Sequence, residues 1–508
     1  MRAARATLIL RWLPALAGAA YVATVVALGS QLVRNNHWDT DVSAPLALAE
    51  RLRGSGPVHI PHYGEWTTLW WLLATRDLPW HARLWGASGY ILALVTAGVL
   101  GWATAKVAGR WAGVTAAAAA LVVGPFVLRA LLSLASHVTN PVGAVVLAAS
   151  LVLLLRTRSW LPAVAAGVIA GLNAASDPLL WFAGIVPFAV AAGVLAWTTR
   201  RRDIGVRAGA TLALAIVSAV ATNVTMQALD FHVVGLDVGL DSVRDLPGNV
   251  VHLGRMVALL GGANYALPGP YPHEPLRAGI ALLTFAALAA PLLAAVKARH
   301  AEPALRAFAC YWAVAVALLC VVFVLTPNAY DLGPKSVHYL LTLAPAAGAG
   351  IALLAARSRP GQLAVSLAVA AVAAVNIAGV VGGRAEITGL VTLPMYERPI
   401  VQLLERERAT RGFAGYWDAQ NLSWQTDMRL LVAPVVNCGT QLCPYNFFTI
   451  RSWYEPQGGP TFLLIDPTVP VIHAPPFAAR AATVHRFGPM TVYLFDYDIA
   501  RHVRLTAG

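Results

Sequence analysis

Eleven stretches of the chain are almost uninterruptedly apolar, and polar residues collect between them. The apolar runs fall at about 8–30, 87–105, 112–132, 141–155, 161–175, 179–198, 208–228, 277–296, 307–326, 338–356 and 362–382. Runs approaching twenty residues match the hydrocarbon thickness of a bilayer. Lipid supplies no water to backbone N–H and C=O groups, so each run is expected to be a helix. Beyond residue 384 the pattern changes. Leu430 to Val436 and Thr461 to Ile465 are short strand-like runs separated by Gly and Pro turns. The pattern predicts a mainly α protein: a polytopic transmembrane helix bundle over 1–383, then a small α/β domain over 384–508.

Basic residues orient the bundle. Arg2, Arg5 and Arg11 precede or open the first run; Lys106 and Arg110, Arg156 and Arg158, and Arg200, Arg201, Arg202 and Arg207 occupy alternate connections. Lys297, Arg299 and Arg306, then Arg357 and Arg359, continue the series. The opposite loops near Asn140, Asp177 and Lys335 are short and poor in Lys and Arg. The positive-inside rule then places the N-terminus in the cytoplasm, and the odd number of runs places the C-terminus outside. Three longer segments fall outside: about 31–86, about 229–276 and the tail. The first run is long and has no small-x-small site before the polar residues that follow it, so it is expected to stay as a membrane helix.

Composition agrees. Hydrophobic residues make up 58% of the 508 and charged residues 12%, about half the charged share of a soluble domain; mean hydropathy is +0.63. The net charge of +13 is explained by the basic connections and does not indicate a nucleic-acid partner. The cytoplasmic loops are too short for a nucleotide-binding domain, and no G-x-x-x-x-G-K-[ST] loop occurs. Of the four cysteines, Cys310 and Cys320 lie inside an apolar run, while Cys438 and Cys443 lie in the polar tail. Outside the cytoplasm the second pair is expected to be a disulfide, with two free thiols as the alternative. No zinc-type Cys/His spacing surrounds them.

The loop after the first run concentrates ionisable and aromatic residues. Asp39 and Asp41 form a D-T-D just past the apolar segment. Val42 to Arg53 follows with Leu46, Ala49 and Leu52 on one stripe, as in a helix lying along a membrane surface. Then come His59, His62, the Y-G-E-W at Tyr63 to Trp66 with Glu65, Trp70, and L-P-W-H-A-R-L-W from Leu78 to Trp85. A purely structural reading makes Asp41 or Ser43 the N-cap of the helix and Asp39 a solvated loop residue.

The D-T-D directly after the first helix, the helix carrying Ala49, Glu50 and Arg51, and the Y-G-E-W resemble membrane glycosyltransferases of the GT-C superfamily, closest to the bacterial branch of protein O-mannosyltransferase and aminoarabinose transferase relatives. The many-helix layout and the outer C-terminal domain fit the same pattern. Relatives of that branch often carry a second acidic residue directly after the Asp, where this chain has Val42. The resemblance implies a hexosyl- or pentosyltransferase that moves a sugar, with inversion, from a polyprenyl-phosphate or pyrophosphate donor to a glycan, lipid or protein acceptor of the cell envelope. A carboxylate would take the acceptor's proton. Asp41 stands first for that role and Asp39 second, with Asp39 also open as ligand to a divalent ion such as Mg or Mn. Glu65 and His62 would bind substrate.

Other residues fall on the same outer side. Arg129 lies near the end of the third run, His137 and Asn140 in the next loop, Asp177 in S-D-P, and Lys335 and His338 before the tenth run. Each has a structural alternative: Arg129 snorkelling to headgroups, Asp177 capping a helix that starts at Pro178, Lys335 solvated. As a group, Arg129, Lys335, His137 and Asp177 are substrate-binding candidates, with Arg129 and Lys335 facing the lipid phosphate. Aromatic residues of the tail (Tyr416, Trp417, Trp424, Trp453, Tyr454) are expected in its core, with sugar stacking as the alternative. A lipid or lipid-linked sugar flippase, or a non-catalytic envelope assembly protein of the same fold, are the rivals. Ion coupling is disfavoured, because ionisable residues are scarce inside the apolar runs.

Overall fold

The structure is a computed structural model that describes every residue except 1, 37–42, 46, 49–56, 61–80, 133–136, 234–238, 266–273, 327–332, 384–392, 469–471 and 506–508; for 2–11, 33–36, 81–86, 333–334 and 394 it describes the backbone. The chain divides into two units. One takes Met1–Leu32, Trp85–Asn223 and Asp237–Ala385; the other takes Val33–Leu84, Val224–Leu236 and Glu386–Gly508.

The first unit is a helix bundle: α1 (Arg2–Asn36), α2 (His81–Ala108), α3 (Arg110–Leu121), α4 (Pro125–Leu131), α5 (Asn140–Arg156), α6 (Leu161–Ser176), α7 (Val186–Thr199), α8 (Arg202–Ala228), α9 (Leu246–Leu260), α10 (Glu274–Lys297), α11 (Pro303–Leu325), α12 (Leu343–Ala355) and α13 (Arg359–Val381), with a few end residues of α1, α2 and α8 belonging to the other unit. Every apolar run is helical over most of its length. Among the described residues seven helices are long and apolar enough to cross a membrane, an eighth is if α3 and α4 count as one span, and α5, α6 and α12 are shorter apolar helices. The protein is a multi-pass membrane protein of mainly α architecture.

The third run is broken, where hydropathy alone predicts continuity: α3 and α4 bend by 91°. The cause is Gly124-Pro125. Pro125 opens α4 and cannot extend α3, and the Gly124 N–H donates to Leu260 O (2.8 Å). A Cβ at Gly124 would lie 2.5 Å from Leu259 O, so the crossing needs glycine. Small residues likewise let α6 meet α8: a Cβ on Gly167 or Gly171 would lie 2.7 or 2.4 Å from the carbonyls of Thr211 or Ala215.

The basic connections meet. Arg156 Nη2 donates to Lys106 O (2.7 Å), Arg201 Nη1 to Leu155 O (3.5 Å) and the buried Arg207 Nη2 to Leu154 O (2.9 Å). Exposed Trp102, Trp160 and Trp197 lie within a few residues of these connections, as an interfacial aromatic belt requires. Reporter tags near Arg201 are expected to register cytoplasm, and tags near Gly56 and at Gly508 the outside; a cytoplasmic Gly508 contradicts that orientation.

The second unit has a six-stranded sheet of order β5-β4-β3-β7-β9-β8, made of β3 (Arg411–Ala414), β4 (Leu431–Cys438), β5 (Gln441–Pro444), β7 (Thr461–Ile465), β8 (Thr483–Phe487) and β9 (Met490–Phe495). β3 runs parallel to β4 and β7; the other pairs are antiparallel. Alternate residues feed two cores. Phe413, Leu463 and Ile465 join one; Ala414, Phe462 and Leu464 join the other, with α14 (Leu393–Arg406) and α15 (Tyr416–Gln425). Both faces are thus covered, which suits the near-continuous apolar strands. Tyr416, Trp453 and Tyr454 are buried in the first core. A second sheet of order β2-β1-β6 joins β1 (Val58–Ile60), β2 (Phe231–Val233) and β6 (Thr449–Ile450). It ties two loop segments from earlier in the chain to the tail.

A disulfide links Cys438 and Cys443 across the β4–β5 hairpin, and Cys310 and Cys320 are free. Alkylation under denaturing, non-reducing conditions is therefore expected to label only Cys310 and Cys320; labelling of all four contradicts the bridge.

Asp418, 1% exposed on α15, has its carboxyl pushed up to about 8, by burial first and by the Asp466 carboxylate second. Its folded value exceeds its unfolded one, so its contribution is fullest below about pH 4 and is lost as pH rises towards 8. Asp418→Asn is expected to flatten that decline and to melt higher than wild type at pH 8. An unchanged pH slope contradicts the assignment.

Candidate functional site

The loops opposite the basic connections converge on Asp177. It ends α6, and its N–H donates to Asn173 O (2.7 Å). One carboxylate oxygen, Oδ1, accepts from the Leu179 N–H (3.0 Å) and so caps the turn that follows. The other, Oδ2, meets His137 Nδ1 and accepts from Asn140 Nδ2. Asp177 is 3% exposed and Asn140 1%. A buried carboxylate is tolerable only with such a set of donors. The capping reading and the binding reading of Asp177 are therefore not exclusive: each oxygen does one job.

His137 is held from both sides. Its φ is +66°, a left-handed conformation uncommon outside glycine and found where the surroundings over-determine the backbone. The ring packs against Tyr339 (centroids 4.4 Å) and His338 (5.1 Å). Both belong to a 3₁₀ helix, Gly333–Leu340, that also carries Lys335 and Ser336. Ser336 Oγ shares a hydrogen bond with His252 Nε2 of α9 (2.7 Å), and the His252 ring stacks on Phe323 of α11 (5.9 Å). α4 packs against the same 3₁₀ helix. It carries the buried Arg129, whose guanidinium lies 4.9 Å from the Phe126 ring centre.

Four of the expected site residues thus fall on interacting elements. His137 and Asp177 are in contact, His137 packs on the helix that carries Lys335, and Arg129 sits on a helix packed against it. Asp39, Asp41, His62 and Glu65 lie outside the described residues. So does the divalent-ion reading, which rests on Asp39. Among the described residues no group of three or more His, Cys, Asp or Glu side chains is placed to hold a metal ion. Asn140, Tyr339, His252 and Ser336 complete the cluster. Of these, Asn140 carried a signal, since Asn-Pro opens α5 at its buried end; His252 and Ser336 are 84 residues apart and no spacing links them. Chemically, an Arg, a Lys and three imidazoles gathered on adjoining elements suit an anionic headgroup.

The bundle also holds a cavity of about 450 Å³. It follows α12 from Leu343 to Ala355, walled by α3, α9, α10 and α13. Every lining side chain is apolar or glycine except Thr284, whose hydroxyl donates to Ile280 O (2.8 Å). Val122 and Val123, next to the α3–α4 break, line it too.

No protein-family model matches the chain, and no curated protein matches it. Among solved structures it is similar to the crystal structure of ArnT from Cupriavidus metallidurans bound to undecaprenyl phosphate, at 13% identity over 93% of this chain and 97% of that one, with a TM-score of 0.51. It is also similar to the same protein in the apo state, at 14% identity over 94% and 98%, with a TM-score of 0.42. The likeness to the first structure shows a shared fold, a membrane helix bundle with a small β-sheet domain after it in the chain.

Proposed function

We propose that the protein is an integral membrane glycosyltransferase that moves a sugar from a polyprenyl-phosphate-linked donor to a cell-envelope acceptor at the outer membrane face. The observation that carries this reading is the D-T-D directly after α1 in a chain with the fold of a protein crystallised with undecaprenyl phosphate. Two features support it. The long apolar cavity suits an isoprenoid chain, and the cations around the 333–340 helix suit the phosphate. Nucleotide sugars are confined to the cytoplasm, whereas a lipid carrier reaches the outer face within the bilayer.

The transfer forms a bond between the acceptor oxygen and the anomeric carbon as the bond from that carbon to the phosphate oxygen breaks. Attack from the opposite side inverts the centre. The acceptor proton goes to Asp41, with Asp39 as the alternative base or a metal ligand. The polyprenyl phosphate departs with the bonding electrons, and Arg129 and Lys335 stabilise its charge. Mass spectrometry of envelope glycans and lipid-linked sugars from cells with and without the protein tests this. Loss of the protein should remove one glycan substituent and accumulate its lipid-linked donor; unchanged glycans and donors contradict the proposal.

A further inference from the structure

The α3–α4 break releases backbone groups that the interior of a membrane cannot hydrate. The first backbone bond of α4 runs from the Leu128 N–H to Gly124 O (3.0 Å), one residue too late to use the carbonyl of Val123. That carbonyl is taken by α1: the hydroxyl of Tyr21 donates to Val123 O at 2.8 Å, across 102 residues of sequence. Tyr21 is 0% exposed. It lies on the buried stripe of α1 with Pro14, Gly18 and Val25, while Leu16 and Val26 are exposed. Gly18, one turn earlier, lets α1 approach: a Cβ there would lie 3.1 Å from the Ala118 Cβ of α3. A hydroxyl buried in an otherwise apolar stripe costs desolvation, and Phe would fill the same space. The carbonyl at the break is the reason for Tyr. On its other side the break is tied to α9, through the Gly124 N–H and Leu260 O. α4 has seven residues, so these ties weigh heavily in its pose. It carries Arg129 and packs against the 3₁₀ helix that carries Lys335. All of these residues belong to the first unit.

We propose that Tyr21 is a positioning residue: by holding the carbonyl of Val123 it fixes α4 and, through α4, the guanidinium of Arg129 that receives the lipid phosphate. The inference rests on the reading of Arg129 as a phosphate ligand and makes the first membrane helix a part of that site. A hydrogen bond is directional where the surrounding apolar contacts are not, so its loss frees the orientation of a short helix more than its burial. Pro125 keeps α3 and α4 from joining into one helix that would recover the lost bond.

The test measures binding of undecaprenyl phosphate and of undecaprenol to the purified protein in detergent, as wild type, Tyr21→Phe, Arg129→Ala and the double variant. Undecaprenol has the same tail and lacks the phosphate. Tyr21→Phe is expected to raise the Kd for undecaprenyl phosphate about 10-fold, as weakening one charge-assisted contact does. Its Kd for undecaprenol should stay at the wild-type value. In the Arg129→Ala background Tyr21→Phe should change neither Kd, because it acts through that guanidinium. An unchanged Kd for undecaprenyl phosphate in Tyr21→Phe overturns the inference. So does an equal loss for both lipids, which marks general damage to the bundle, and so does the same loss with and without Arg129. If wild type and Arg129→Ala bind undecaprenyl phosphate equally, the reading of Arg129 fails instead, and hydrogen exchange of 125–131 decides. Faster exchange in Tyr21→Phe, with α7 as protected as in wild type, upholds the hold on α4; unchanged exchange rejects it.

Discussion

Asp41→Asn is expected to abolish sugar transfer while leaving expression, detergent stability and donor binding at wild-type levels. Asn has nearly the shape of Asp and is as good a helix N-cap, so the substitution isolates the one property at issue, the capacity to take a proton. General-base catalysis contributes about 10² to 10⁴-fold in rate, and turnover should fall by that much. Asp39→Asn separates two roles for its neighbour: a milder loss if Asp39 only orients, a comparable one if both carboxylates hold a metal ion. Turnover numbers of purified variants with a polyprenyl-phosphate sugar check this. Wild-type turnover in Asp41→Asn returns the D-T-D to a structural role.

Asp177→Ala is expected to combine a large stability loss with a loss of activity. It strips the acceptor from His137 Nδ1, Asn140 Nδ2 and the Leu179 N–H together. A buried polar group left unsatisfied costs about 1–3 kcal/mol, and the fully buried Asn140 amide is exposed to that cost. Asp177→Asn should be milder, since Oδ1 can still accept from Leu179. Adding His137→Ala to Asp177→Ala should cost less than the sum of the single changes, because the two side chains share one contact. Thermal unfolding in detergent followed by tryptophan fluorescence compares wild type with the three single variants, His137→Ala included, and the double variant. Strict additivity would show that the contact carries no energy.

The bundle was legible in the sequence because lipid leaves the backbone no alternative to helix. Gly124-Pro125 was visible too, but a hydropathy average smooths over two residues, and the bend emerges only where Gly124 meets Leu259 and Leu260. Strands β4 and β7 announced themselves by apolar runs between turns. β1, β2 and β6 did not: each has two or three residues, too few for an alternating pattern. The stripe Leu46, Ala49 and Leu52 that suggests a surface helix lies outside the described residues; the described Ala44, Ala47 and Leu48 beside it are buried in protein, and an apolar stripe looks the same in sequence whether it meets lipid or a protein core. At the site, the residue types were legible and their pairing was not. Asp177 and His137 are 40 residues apart, and each alone has an ordinary structural explanation. What joins them is the crossing of two loops, a property of the packed helices.

The most direct measurement of the central claim is the fate of the lipid carrier. Purified protein in proteoliposomes would be supplied with a polyprenyl-phosphate sugar and an envelope acceptor, and the lipid products identified by mass spectrometry. A glycosyltransferase releases sugar-free polyprenyl phosphate in step with glycosylated acceptor, and Asp41→Asn does neither. A donor that crosses to the other leaflet with its sugar still attached, and no free polyprenyl phosphate, would mark a flippase and contradict the account.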